Sequence, residues 1–198
     1  MIKTNTLIFD TETTGLPKDW KISSLDVRNN WPDIVSICWH LYTDKELVVK
    51  ENYIIRPEGW TIPEESVKYH GITQEMAEKD GRPLGEVLRK LRYHIESSHR
   101  VVAHNLNFDK NVLFNAYYWR LGMNPKAFWP VDGDFCTMME SKGVLKLHSK
   151  YARYDDPYKN PSLDELYKDT FNEDAPPNAH SADRDTEVLQ KIYWKRCN

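Results

Sequence analysis

Cysteine is scarce in this chain. Only Cys38, Cys136 and Cys197 are present, odd in number and far apart, without the close pairing of a zinc or disulfide framework. Buried thiols in a reducing compartment are the expected reading. No apolar run approaches bilayer-spanning length, so no membrane partner is expected. The N-terminus enters a strand-like run without the apolar stretch and small-residue cleavage site of a secretory leader. A soluble, intracellular, cytoplasmic chain follows as the expectation. Positive charge is not in excess either, the net charge being -3. A polyanionic ligand must therefore be held by local basic groups or metal ions rather than by a broad basic field. Repeats, low-complexity tracts and dividing linkers are absent, so residues 1–198 read as one domain. What is abundant is core-forming material, with 40% hydrophobic and 12% aromatic residues.

Strand and helix patterns alternate in an order that predicts an α/β domain. Residues 7–10 form a first strand, and β-rich stretches at 34–42 and 47–55 flank a hairpin turn at Thr43, Asp44, Lys45 and Glu46. A helix opens at Pro63 and Glu64 and stops at His70 and Gly71, and Thr73 caps another. The spacing of Leu84, Val87, Leu88, Leu91 and Ile95 predicts a helix over 83–97. A short buried strand at 100–104, a helix over 108–121 ended by Gly122, and a closing helix over 181–195 complete the pattern.

Three groups of residues carry chemistry. Asp10 and Glu12 are two apart at the end of the first strand, so they share a face. Neighbouring acids there repel, and a bound cation compensates; taken alone, the pair fits a polar strand end before a glycine turn equally well. His104, Asn105, Phe108 and Asp109 sit where the short strand meets the next helix. Asp109 is an ordinary first-turn acid by position, yet Val112, Leu113 and Ala116 follow it at helical spacing, which turns it inward. An inward acid needs a partner. In the last group, Val188, Leu189 and Ile192 follow Asp185 at the same spacing, whereas Glu187 and Gln190 follow Asp183. Asp185 therefore faces the core and Asp183 faces solvent. His180 is either a surface histidine or, beside an inward acid, a proton acceptor.

Taken together, Asp10, Glu12, Thr13, Thr14, Gly15 and Leu16, then His104, Asn105, Phe108 and Asp109, then His180 and Asp185, resemble the DEDDh-type 3′-to-5′ exonucleases, the family that includes bacterial proofreading subunits. The likeness runs over about residues 6–193, and His70, Gly71, Ile72 and Thr73 also resemble that family. It implies a ribonuclease H-like fold, a mixed five-stranded sheet with antiparallel first three strands, flanked by helices. It also implies two divalent cations, magnesium or manganese, suited to oxygen ligands. On this resemblance Asp10 bridges both ions, Glu12 and Asp185 complete the site of the attacking water, Asp109 supports the second ion, and His180 takes the proton. Leu16 resembles the residue that wedges against a terminal base, its alternative being an ordinary core leucine. Thr13, Gly15, His70, Asn105 and Phe108 are expected to contact substrate. One departure is Cys136 before Thr137, where many members have an aspartate; it bears on subfamily rather than activity.

Two long loops complete the expectations. The first, 17–33, contains Trp20, Trp31, Lys18, Lys21 and Arg28, and loops of this length tend to be functional or mobile. The second, 144–161, interleaves Lys146, Lys150 and Arg153 with tyrosines as a candidate lid over single-stranded 3′ ends, the alternative being a solvated loop. The preferred function is a metal-dependent exonuclease on nucleic-acid 3′ ends, DNA before RNA, with a DNA polymerase as a candidate partner. The rivals are an exoribonuclease of the same family and a non-catalytic polymerase-associated module.

Overall fold

Each strand of the central sheet is placed by what it can bury. A computed structural model describes residues 3–153 and 156–196, except the side chains of 150–153. Strand β1 (Asn5–Thr13) is the middle of a five-stranded sheet ordered β3-β2-β1-β4-β5, with β2 (Ile34–Thr43), β3 (Glu46–Ile54), β4 (Arg100–Ala103) and β5 (Asp134–Cys136). β1 pairs antiparallel with β2, and β2 with β3, whereas β4 runs parallel to β1 and β5 parallel to β4. The expected mixed sheet with an antiparallel start is thus present. The β2–β3 hairpin turns on Asp44 and Lys45, both at positive φ, the conformation that matches a two-residue turn to the strand twist.

Alternation along β1 divides the core. Leu7 and Phe9 face a large cluster with Leu88, Leu91 and Ile95 of α3 (Leu84–Ser97) and Val112 and Leu113 of α4 (Leu106–Asn115). Ile8 faces the other side, against Leu189 and Tyr193 of α5, the closing helix (Ala182–Arg196). At about 25 cal/mol per Å² of apolar surface buried, these two faces are the main source of stability. β2 is buried almost continuously because it lies between two strands with both its faces covered. Two short helices, α1 (Glu64–His70) and α2 (Gln74–Asp80), precede α3, and α1 ends on Gly71 in the left-handed region as expected.

Three features depart from the sequence reading. The helix expected to run to residue 121 passes into a π-helical turn over Ala116–Arg120. That turn pins the 17–33 loop: Arg120 makes a bidentate pair with Asp33 at 2.8 Å, and the Trp119 indole donates to the Ser24 carbonyl at 2.9 Å. Trp31 also donates to the Ile22 carbonyl at 2.9 Å. The segment therefore presents a fixed surface, not a free flap. Secondly, 144–161 is not one irregular loop. It includes the end of a helix, α6 (Thr137–Leu145), and an antiparallel pair, β6 (His148–Arg153) and β7 (Asp156–Tyr158). Thirdly, α7 (Leu163–Phe171) was not expected; a capping box between Ser162 and Glu165 opens it. No helix among the described residues is long and apolar enough to cross a membrane.

Candidate active site

The three motifs converge at the C-terminal end of β1. Asp10 and Glu12 share the face on which α5 packs, and the first turn of α5 delivers Asp185; one carboxylate oxygen from each lies within 4.8 Å of the other two. Past Glu12 the β1–β2 register shifts, and such irregularities re-aim side chains at sheet ends. Asp109 arrives from the first turn of α4 and is 3% exposed. Its Oδ1 accepts a hydrogen bond from Thr11 Oγ1 at 2.7 Å, so a side chain on the opposite face of β1 supplies the partner an inward acid needs.

Electrostatics follow from this crowding. Burial, then Asp109, Glu12 and Asp185, hold the Asp10 carboxyl well above the usual carboxylate range. Burial, then Asp185 and Asp109, push Glu12 up to about 8. Asp109 is pushed up to about 7 by burial, against the hydrogen bond from Thr11. Asp185 is raised by burial but restrained by Arg184 and His180. Four crowded carboxyls, each with its proton affinity raised, are hard oxygen donors of the kind suited to magnesium or manganese. An added divalent charge reverses the repulsion, so the residues present fit a divalent cation held by oxygen ligands.

Arg184 was missed by the sequence reading. It is largely buried and pairs with Asp185 at 2.6 Å and with Asp164 of α7 at 2.7 Å, while its Nε donates to the Pro176 carbonyl at 2.9 Å. It fixes the Asp185 carboxylate from the side. His180 is exposed, at positive φ, and its backbone N–H donates to Asp185 Oδ2 at 3.0 Å. Tyr69 meets the His180 ring edge-on at 5.9 Å. Asp183 is partly exposed and pairs with Lys50 at 3.4 Å, so the expected contrast with Asp185 holds in direction.

A cleft of about 410 Å³ opens beside the acids, and Glu12, Thr13, Gly15, Leu16, His70, Phe108 and His180 all line it. Leu16 is 72% exposed, which removes its reading as a core leucine. Tyr69, 67% exposed in the same cleft, was also missed; an exposed tyrosine carries no periodic signal. His70 Nδ1 accepts from the Ile72 N–H at 3.1 Å, and burial pushes this imidazole's pKa down. Asn105, left-handed at φ 68, lines an adjacent cleft of about 750 Å³ with Trp20, Lys110 and Asn111. Trp20 packs on Phe108 at 5.8 Å, joining the two clefts. His104 bridges Thr137 Oγ1 and the Pro161 carbonyl, each at 3.0 Å, so Thr137 after the divergent Cys136 has a structural partner. Lys146 caps α6 in the left-handed region and lines neither cleft. The side chains of Lys150 and Arg153 lie outside the described residues.

Comparisons with known proteins agree with the fold. A family model described as exonuclease, RNase_T, matches residues 7–193. Among solved structures, E. coli exonuclease I in complex with a dT13 oligonucleotide matches with a TM-score of 0.72 at 16% identity, over 98% of this chain and 42% of that one. The complex with a dA16 oligonucleotide matches with a TM-score of 0.72 at 17% identity, over 98% and 41%. The zinc-bound form of the E. coli enzyme with single-stranded DNA matches with a TM-score of 0.71 at 16% identity, over 97% and 40%. The chain thus spans about two-fifths of the length of these structures, and the likeness shows the ribonuclease H-like exonuclease fold. No curated protein matches the sequence.

Proposed function

Because the chain belongs to the RNase_T exonuclease family, with the acids and histidine of its DEDDh type, we propose that it is a metal-dependent 3′-to-5′ exonuclease. It hydrolyses phosphodiester bonds at nucleic-acid 3′ ends, releases nucleoside 5′-monophosphates and acts on DNA in preference to RNA. The observation that carries this reading is the convergence of Asp10, Glu12 and Asp185, with the charge of buried Asp109 acting on Asp10, beside an open cleft that Glu12 lines.

Asp10, Glu12 and Asp185 would hold the two divalent cations with support from Asp109. When bound, such ions supply Lewis-acid stabilisation of phosphate charge and lower the pKa of water. The protein's own residues do the rest. His180, exposed at the cleft rim, accepts the proton of the attacking water and passes it to solvent. Arg184 keeps the Asp185 carboxylate oriented, and the Asp185 hydrogen bond to the His180 backbone keeps base and acid in one unit. Leu16 and Phe108 offer apolar faces to the terminal nucleotide, with Tyr69 an added stacking surface. Thr13, Gly15, His70 and Asn105 position the strand end. The oligonucleotides bound by the E. coli enzyme support DNA as the first substrate to test.

Digestion of matched 5′-labelled single-stranded DNA, mismatched duplex DNA and RNA with magnesium or manganese tests the reading. Stepwise shortening from the 3′ end, with mononucleotide product and abolition by chelator, is expected. Full activity in excess chelator, or shortening from the 5′ end, overturns it.

A further inference from the structure

A second set of ligand-type side chains lies on the same sheet face, with different donor chemistry. Cys38 and His40 alternate with Trp39 along β2, so both face α5, whose first turn brings Asp183 against them. One ligand atom from each of the three lies within 4.8 Å of the other two. Cys38 Sγ is 3.7 Å from Asp183 Oδ1.

The independent observation is His40. Its residue is 1% exposed, yet neither ring nitrogen has a hydrogen-bond partner. The Gln190 side chain of α5 approaches the ring and raises a pKa that burial lowers, but its geometry falls short of a hydrogen bond to either ring nitrogen. A buried imidazole left unpartnered bears the full cost of desolvation, and a histidine aimed at a thiol and a carboxylate has an obvious use for a ring nitrogen. Lys50 stands beside Asp183 at 3.4 Å, but it is closer to Glu187, at 2.5 Å, and half-exposed. It can keep Glu187 while Asp183 turns to a cation.

We propose that Cys38, His40 and Asp183 form a binding site for a borderline-soft divalent cation of the zinc class, separate from the all-oxygen carboxylate cluster. Sulfur, nitrogen and oxygen donors together select zinc over magnesium or calcium. A water completes four-coordination. Binding exchanges the Cys38 thiol proton for the metal and releases that proton to solvent. Thiolate, Asp183 and Glu187 are negative and Lys50 and the ion positive, so these five groups sum to zero, with Asp10 the next acid across the strand from Cys38. The consequence is mechanical. The ion ties β2 to the first turn of α5 two residues before Asp185, where Thr186 Oγ1 already reaches the Cys38 carbonyl at 3.4 Å.

Cobalt titration of the metal-stripped chain tests this, because a thiolate ligand gives a sulfur-to-cobalt charge-transfer band and carboxylates do not. The expected result is a band that saturates at one equivalent of sulfur-bound cobalt, is displaced by zinc and survives excess magnesium. Asp183→Asn, at a partly exposed position, should weaken the band's apparent affinity roughly tenfold or more while circular dichroism stays unchanged. Cys38→Ser should abolish the band; should that variant misfold, retention of the band in a Cys136→Ser, Cys197→Ser double variant assigns it to Cys38. Absence of the band in the wild-type chain, its loss in the double variant, or unaltered affinity in Asp183→Asn overturns the proposal.

Discussion

The carboxylate cluster and the hairpin after α6, proposed as catalytic centre and strand-binding lid, are built in opposite ways. Asp10, Glu12, Asp109 and Asp185 come from three distant segments, are fixed by β1, α4 and α5, and sit where burial forces their proton affinity up. The hairpin is local in sequence, and charged residues beside it are engaged with neighbours: Lys142 of α6 pairs with Asp156 of β7 at 2.7 Å, and Lys159, just past β7, pairs with Glu165. Exposed ion pairs of this kind contribute roughly 0–1 kcal/mol. Buried crowded charges change chemistry; exposed ones adjust binding.

The largest effect should therefore come from Asp10. Asp10→Asn removes a charge at nearly constant volume, and turnover should fall on the order of 10³-fold or more, beyond the loss of a single electrostatic donor. Its metal-free melting temperature should hold or rise, since carboxylate repulsion is relieved. Asp185→Asn should follow closely, with Asp183→Asn costing far less. Steady-state rates and thermal melts check these; an Asp183 defect exceeding that of Asp185 would falsify the assignment of the last motif.

His180 ranks next. As the proposed proton acceptor, His180 should matter to turnover, and His180→Ala should lose about 10²–10⁴-fold. Metal affinity should change little, because only the residue's backbone touches Asp185. A variant with wild-type rates across pH assigns the base elsewhere.

The contrast between buried and exposed charge also predicts a pH dependence of stability. Below about pH 4 the cluster is protonated in both folded and unfolded chains and contributes nothing. As pH rises the unfolded chain releases these protons first, while the folded chain retains them until about 7 at Asp109 and about 8 at Glu12. The folded state then binds more protons, so stability falls with pH across that window. Metal-free protein should lose a few kcal/mol from this source between pH 4 and 8, recovered in part by Glu12→Gln and more fully by added manganese. Denaturant midpoints at several pH values measure it; a flat profile in wild type and Glu12→Gln alike contradicts the crowding described.

How far the sequence revealed this site depends on the residue. Asp109 and Asp185 were legible because each begins an apolar helical stripe, and the stripe states which way the acid points. Arg184 was not, because its role depends on Asp164 and the Pro176 carbonyl, partners that only folding supplies. His40 was hidden because β2 is buried on both faces and its run shows no alternation. The Ser162 to Glu165 capping box was a signal for α7 that the sequence reading did not use, since it stopped its loop at 161. Strand order was legible for the first three strands through their hairpin; β5, three residues long, offered no pattern.

The smallest effect should belong to the hairpin. With a net charge of -3, strand binding rests on few cations, so the affinity for single strands should fall less steeply with salt than for an extended basic groove. Lys146, Lys150 and Arg153 are the cations to remove. Their triple replacement by alanine should raise the Michaelis constant for a long single strand by roughly tenfold and leave the maximal rate nearly unchanged, because none of the three belongs to the carboxylate cluster. A very short substrate, confined to the cleft lined by Leu16, Tyr69 and Phe108, should be affected less. Kinetics on long and short oligonucleotides at two salt concentrations decide the matter. An equal effect on both lengths, or none on either, makes 144–161 a solvated surface element whose ion pairs serve only the fold.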